Sequence, residues 1–318
     1  MIIKHREKPI KIAGYEALLR RMSLQHPMRN TISDVLKGAQ AGIGGEERLD
    51  KMLAFFDPPY PHLFIHDLSL PEKNQIDTLL ITQSFLMILE VKNMSGKLRL
   101  TTNPSGLHQT LANGQEKTFK SPVVQAETAK IKMEKVLKRF SYPLKIETAI
   151  VLAYPSQTME GVPPGVNVWK ADEVMVQLHR NQSMEPLITL EQMNAIGQLL
   201  LSMHQSYQPF PLAPKFNIAL HEIENGIFCE QCRVKKMNKI NRRWHCKTCN
   251  YFSGDAYLKA LDEWFMIFKS TITAKECMNF LGLRDPDTAR RILKSMELEE
   301  SGSRCFRTYQ PKENFKWQ

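Results

Sequence analysis

Gln75-Ile76-Asp77-Thr78-Leu79-Leu80-Ile81-Thr82 is followed, after Gln83-Ser84, by Phe85-Leu86-Met87-Ile88-Leu89-Glu90-Val91-Lys92. Both stretches are rich in Ile, Leu, Val and Thr, which suits a pair of strands. Their charges stand near the ends. Glu90 and Lys92 are two residues apart, so they project from one face of a strand, and a neighbouring strand could bring Asp77 beside them. Charged groups in apolar strands need partners or a metal ion. Two carboxylates and a lysine suit phosphodiester hydrolysis. Carboxylate oxygens bind a hard cation, Mg²⁺ or Mn²⁺. Such an ion polarises the phosphate, orients a water and neutralises developing charge. The lysine positions the water or stabilises the pentavalent phosphate. A structural ion pair between Asp77 and Lys92 would leave the same pattern, and spacing alone does not separate the two.

Outward from this pair, Tyr15 to Met22 reads as an amphipathic helix with Leu18, Leu19 and Met22 on one side. A second helix is predicted from about Ala39 to Phe56, with a stripe at Leu49, Met52, Leu53 and Phe56, ended by Asp57-Pro58-Pro59. Leu63-Phe64-Ile65 is a short apolar strand. Downstream, Asn93 to Gly96 is turn-like and Lys97 to Thr101 alternates. Pro122 opens a helix from about Val123 to Phe140. Ile146 to Ala153 and Val166 to Trp169 are further strands, and helices follow near Ala171 to His179 and Leu190 to Tyr207. Pro209, Pro211 and Pro214 stiffen a linker, where a domain boundary is placed.

Ala41-Gly42-Ile43-Gly44-Gly45-Glu46, Gln75-Ile76-Asp77, Glu90-Val91-Lys92-Asn93 with Gly96, and Ser121-Pro122-Val123-Val124-Gln125 occur in this order. Together they resemble the nuclease-related domain (NERD) family, over roughly residues 36 to 155. The resemblance implies an α/β, restriction-endonuclease-like (PD-(D/E)XK) mixed sheet flanked by helices. It implies that Asp77 and Glu90 hold Mg²⁺, that Glu90 and Lys92 form the E-x-K pair, and that Glu46 adds a helix carboxylate. Gln125 matches the glutamine after the family's proline, near a helix N-terminus. Glu47 adjoins Glu46, and the glycines align with Glu46. Folds of this kind also serve binding alone, so a non-catalytic nucleic-acid-binding protein is the alternative.

Cys229-Glu230-Gln231-Cys232 and Cys246-Lys247-Thr248-Cys249 form two C-x-x-C pairs with thirteen residues between them. Two such knuckles can direct four thiolates at one Zn²⁺, which prefers a tetrahedron of soft or borderline ligands. Four cysteines close the coordination sphere, so this metal would fold the module rather than do chemistry. Between and beside the pairs lie Arg233, Lys235, Lys236, Lys239, Arg242, Arg243 and Lys247, with no acid between Cys232 and Cys249. Trp244 and Tyr251 interleave aromatics. Charge with stacking faces suits nucleic acid; the alternative is a solvated hairpin whose aromatics cover the metal.

Thr273 to Met296 reads as helix, turn, helix, with a strand at Cys305 to Tyr309, which resembles a winged helix. Arg290, Arg291 and Lys294 would decorate its recognition helix. Cys277 and Cys305 read as buried small apolar residues.

The expected plan is an N-terminal helical extension (1–35), a nuclease-like domain (36–208), a four-Cys zinc ribbon (217–255) and a winged-helix-like module (256–318). The formal charge is +10, from 43 Lys and Arg against 33 Asp and Glu. That excess favours an anionic partner, nucleic acid and in the first place DNA. Hydrophobic residues at 42% and charged residues at 24% exclude a disordered chain. No apolar run approaches a membrane span, and no signal peptide opens the chain, so a cytoplasmic protein is expected. A zinc module that binds protein, as in an interaction adaptor, is a second alternative. Oligomeric state is not legible.

Overall fold

The structure is a computed structural model that describes residues 1–71, 74–138, 144–180, 185–233, 236–241, 243–303, 306–312, 315 and 317. The chain divides into two compact units: Met1–Lys8 with Ala39–Tyr207, and Pro9–Gly38 with Gln208–Gln318. It begins with β1 (Ile2–Lys4), α1 (Ile10–Arg21) and α2 (Arg29–Leu53). Residues 29–38 of α2 belong to the second unit and the rest to the first.

The first unit continues with β2 (His62–Leu70), β3 (Asn74–Thr82), β4 (Phe85–Lys92), β5 (Lys97–Thr102), β6 (Ser105–Thr110) and β7 (Glu116–Phe119). Next come α3 (Pro122–Lys138), β8 (Lys145–Leu152), β9 (Met159–Glu160), β10 (Asn167–Lys170), α4 (Val174–His179) and α5 (Leu190–Ser202). Six strands form one mixed sheet in the order β1-β2-β3-β4-β8-β10. The β2-β3-β4 meander is antiparallel, and β8 returns parallel to β4 after the α3 crossover. A second sheet, β7-β6-β5-β9, extends from the exit of β4.

Why these residues make a central sheet follows from its two covered faces. Leu79, Ile81, Leu86 and Ile88 pack with Ala129 and Met133 of α3 and Met193 and Ile196 of α5. Leu80, Met87, Leu89 and Val151 pack on the other side with Leu49 and Leu53 of α2 and Val174 and Leu178 of α4. A strand covered on both faces needs apolar residues at successive positions, and β4 is buried from Phe85 to Val91. The result is a mixed α/β arrangement, consistent with the nuclease-like fold expected from the motifs.

The strand expected at Leu63-Phe64-Ile65 runs further, to Leu70. His66, Asp67 and Ser69 hid this extension. His66 is buried against polar partners, and Asp67 sits at positive φ between the His66–Thr78 and Leu68–Ile76 pairs, across which the register is unchanged. Polar residues at successive positions break the apolar pattern that marks a strand.

The second unit adds α6 (Leu212–Lys215), a 3₁₀ turn at Leu220–Glu222, and a three-stranded sheet of β11 (Asn238–Ile240), β12 (Arg243–His245) and β13 (Phe252–Ser253). It ends with α7 (Ala256–Ile267), β14 (Ile272–Thr273), α8 (Ala274–Leu281), α9 (Pro286–Ser295), β15 (Leu298–Ser301) and β16 (Thr308–Pro311). The strand order is β14-β16-β15, with α8 and α9 joined by the Gly282 turn ahead of the β15–β16 pair. The boundaries of these helices are locally encoded. Thr273 caps α8 in a capping box with Glu276, Gly282 closes α8 at φ 67°, and Asp285 caps α9 ahead of Pro286. Tyr15 and Leu18 of α1 join Leu261 and Phe265 of α7 in this unit's core. Cys277 is fully buried, and Cys305 lies outside the described residues. Among the described residues no helix is long and apolar enough to cross a membrane.

Candidate active site and metal centre

The β3–β4 ladder ends where Thr78 opposes Leu89. One residue further, Asp77 turns its carboxylate toward β4, and the Val91 amide donates to Asp77 Oδ2 at 2.8 Å. On the same strand Lys92 Nζ donates to Glu90 Oε1 at 2.5 Å. Asp77 and Glu90 are buried, at 9% and 7% exposure. Asp77, Glu90 and Lys92 therefore share one site, a placement the strand pattern allowed.

Burial raises both carboxylic acids above their ordinary range. Glu90 is pushed up to about 7, by burial first and then by the charge of Asp77. Asp77 is raised chiefly by burial, with Lys92 and the Val91 amide opposing. Burial alone would lower the Lys92 ammonium, but Glu90 and Asp77 outweigh it and hold it above its ordinary value. Two acids and one lysine leave this pocket short of positive charge. Asp77 Oδ1 and Glu90 Oε2 accept no hydrogen bond among the described residues. Two hard oxygens on mostly buried carboxylates, each without a donor of its own, suit a divalent cation such as Mg²⁺ or Mn²⁺.

Glu46 reaches the site from α2, close enough to act electrostatically on Lys92. Its approach depends on Gly45. A Cβ there would lie 2.5 Å from Asn93 Cβ and 3.1 Å from Ala153 Cβ. Only a residue without a side chain lets α2 cross the ends of β4 and β8 this closely. Gln125 lies exposed on the first turn of α3, and no hydrogen bond joins it to Asp77, Glu90, Lys92 or Glu46.

Sequence reasoning missed Arg6. Its guanidinium, 3% exposed, donates to Glu46 Oε2 at 2.5 Å and to both oxygens of Asp50 at 2.8 and 3.2 Å. The same group donates to the Asp77 carbonyl at 2.7 Å and to Thr78 Oγ1 at 3.1 Å. One side chain thus fixes the helix glutamate against the strand aspartate. His66 Nδ1 lies 3.1 Å from Asp50 Oδ1 and 3.2 Å from Thr78 Oγ1. Burial, then nearby Arg6, His5 and Lys4, hold His66 down at about 4 against the pull of Asp50. It is a neutral member of the network. Asp50 stands four residues after Glu46, on the same helix face, which is a usable signal. Nothing in His5-Arg6-Glu7-Lys8 distinguishes Arg6.

The four cysteines converge. One ligand atom from each of Cys229, Cys232, Cys246 and Cys249 lies within 4.8 Å of every other. Cys229 Sγ is 3.5 Å from Cys249 Sγ, and Cys232 Sγ is 3.7 Å from Cys246 Sγ. A ZnS₄ tetrahedron with bonds of about 2.3 Å has edges of about 3.8 Å, whereas a disulfide is about 2.05 Å. The spacing therefore fits a zinc ion. Both knuckles turn alike: Arg233 and Asn250, each following the second cysteine of its pair, take positive φ of 57° and 56°. Backbone amides of Cys249 and Thr248 are directed at Cys246 and hold its thiol down to about 6, while burial pushes Cys229 up to about 12. Among the described residues this is the one such cluster of three or more candidate ligands. The carboxylates of Asp77, Glu90 and Glu46 are not drawn together to that closeness.

Arg233, Lys236, Lys239, Arg243 and Lys247 are exposed around the knuckles. Lys236 pairs with Glu224 at 3.2 Å, and Arg243 covers Phe252. Lys235 and Arg242 lie outside the described residues. Trp244 is 3% exposed, with Lys239 over its ring, so its face is not open to a base. On α9, Arg290, Arg291 and Lys294 are exposed; Arg290 pairs with Asp287 and Arg291 bonds Thr288. Behind the first knuckle, fully buried Arg21 donates to Glu263 and to the carbonyls of Glu224 and Gly226.

A buried Asp and E-x-K pair at the strand ends of a helix-flanked mixed sheet is the arrangement of a nuclease-like α/β domain. Comparison with family models agrees: residues 41–153 match the nuclease-related domain (NERD). That span contains Glu46, Asp77, Glu90, Lys92 and Gln125, while the four-cysteine cluster and α7 to β16 lie outside it. No curated protein and no solved structure matches the chain.

Proposed function

We propose that this protein is a metal-dependent nuclease acting on DNA. The observation that carries the reading is the joint placement of Asp77, Glu90 and Lys92 in one buried site within a nuclease-related domain. Asp77 and Glu90, supported by Glu46, would hold Mg²⁺ or Mn²⁺. That ion, when bound, supplies the Lewis acidity that activates a water and neutralises phosphate charge. Lys92 Nζ, released from Glu90, would orient the water or bind a non-bridging phosphate oxygen. Gln125 would contribute from the start of α3. The zinc knuckles would fold the ribbon, and the exposed basic residues of the ribbon and α9 would contact the phosphate backbone. A cytoplasmic location is part of the reading.

A binding-only role is the second reading. Its specific support is the closed Lys92–Glu90 pair, which satisfies both charges without metal. The deciding experiment is cleavage of single-stranded, duplex and branched DNA with Mg²⁺, Mn²⁺ or EDTA. The nuclease reading expects product only with metal, and a loss of about 10²–10³-fold in Asp77→Ala and Lys92→Ala. Tight binding with no product from any protein would replace it with the binding-only reading.

A further inference from the structure

Arg48 stands three residues after Gly45 on α2, and its guanidinium lies over the ring of Tyr154 at 4.6 Å. No acidic side chain pairs with Arg48 among the described residues, and its Nε is buried with no hydrogen-bond partner. A guanidinium held this way keeps its donors for something else. Tyr154 is 41% exposed.

Their place in the sheet gives the pair its meaning. Lys92 is opposite Leu152 across the β4–β8 ladder, and the Ala153 amide donates to the Lys92 carbonyl at 3.0 Å. Tyr154 therefore follows β8 two residues beyond the position opposite Lys92, about 4.8 Å sideways and about 6.6 Å further along the strand direction. Its backbone is pinned. The Tyr154 amide donates to Gln157 Oε1, and Gln157 Nε2 donates to the Met94 carbonyl, both at 2.8 Å. Glu46 and Arg48 flank Gly45 on opposite sides, so α2 presents a carboxylate toward β3 and a cation toward β8.

We infer that Arg48 and Tyr154 form a subsite for an unpaired nucleotide next to the cleaved bond, so that the substrate strand enters single-stranded or frayed. This rests on the nuclease reading above for what lies beside the subsite. Arg48 is placed to meet a backbone phosphate, and the open face of Tyr154 to stack on a base. Bases inside a duplex already stack on each other and offer no face, so an aromatic platform selects unpaired ones.

The test uses the full chain in a Lys92→Ala background, without metal, and a short deoxyoligonucleotide carrying 5-iodouracil, single-stranded or in duplex. Photocrosslinking from the single strand is expected on the peptide that contains Tyr154. Loss of one stacked base corresponds to about 5- to 150-fold in affinity. Tyr154→Ala should fall in that range and Tyr154→Phe should not. Arg48→Gln should reduce the slope of log affinity against log salt by about 0.7. Crosslinks elsewhere only, with Arg48→Gln and Tyr154→Ala within twofold of the parent, would overturn the subsite. Cleavage by the unsubstituted chain with Mg²⁺ is scored separately. Cleavage without Tyr154 crosslinks sinks the subsite alone; Tyr154 crosslinks without cleavage sink the nuclease reading alone.

Discussion

The side-chain amide of Asn93 donates to the carbonyl oxygen of Ala41 at 2.8 Å, joining the residue after the E-x-K lysine to the helix that carries Glu46. The bond is short because Gly45 lets α2 lie against Asn93 and Ala153. Two sequence motifs are therefore one structural joint.

Gly45→Ala tests that joint. The added methyl meets the Cβ atoms of Asn93 and Ala153, just past β4 and β8, which cannot rotate away. Overpacking of this kind costs about 1–3 kcal/mol. Thermal unfolding should shift down accordingly, and metal-dependent cleavage should fall further than stability does, because α2 carries Glu46 away as it retreats.

Removing Arg6 should be more damaging. Arg6→Met removes the cation that Glu46 and Asp50 share. Breaking a largely buried ion pair from one side costs about 3–5 kcal/mol. Arg6→Lys keeps the charge but loses the forked contact with Asp50 and the bonds to Asp77 and Thr78. Denaturant titration should rank the parent above Arg6→Lys, and Arg6→Lys above Arg6→Met. Equal midpoints for all three would show that the network is not holding the site.

The zinc knuckles make a compositional prediction. Metal analysis should find one zinc per chain, absent in Cys246→Ser. A structural zinc contributes about 10–16 kcal/mol to a small module, as much as a whole domain's stability. A strong chelator should therefore expose Trp244 and red-shift its fluorescence, with Trp244→Phe as the control. It should also open Cys229, Cys232, Cys246 and Cys249 to alkylation. Cys277, buried and pushed up to about 12, should stay unlabelled until the chain unfolds.

The cap of α8 carries a pH signature. Glu276 is held below its ordinary value: burial opposes the charge, but Lys269 and the Thr273 amide and hydroxyl outweigh it. A depressed folded pKa contributes stability above the unfolded value and loses it as pH falls through the folded one. Thr273→Ala should cost about 1 kcal/mol at pH 7. The difference from the parent should shrink below about pH 4, where the carboxylate protonates. A cost independent of pH would mean that the hydroxyl cap acts without Glu276.

Much of the central sheet was legible because strand segments buried on both faces are apolar at successive positions, as Leu79-Leu80-Ile81 of β3, Phe85 to Leu89 of β4 and Ala149 to Leu152 of β8 are. The candidate triplet of Asp77, Glu90 and Lys92 was legible for the converse reason: charges at the ends of such strands stand out. The C-x-x-C spacing likewise announced a cluster that the structure closes. Arg6 was not legible, since its role depends on β1 pairing with β2 far along the chain. Nor was the burial of Trp244, because a three-residue strand looks the same whichever way its aromatic turns. The stripe of α1 declared a buried face but not its partner, which is α7, more than two hundred residues later.

The order in which the chain visits its two units has a consequence for anyone dividing the gene. The backbone passes between them three times, after Lys8, Gly38 and Tyr207. A product stopping at residue 207 would keep Tyr15, Leu18 and Ile32 but lose Leu212, Ile223 and Phe265, against which they bury. A product starting at residue 39 would lose β1 and Arg6. Neither half is a detachable cassette. Recombination that moved the nuclease-related segment alone would deliver an incomplete candidate site and leave an open core behind, so the two units are expected to be inherited together.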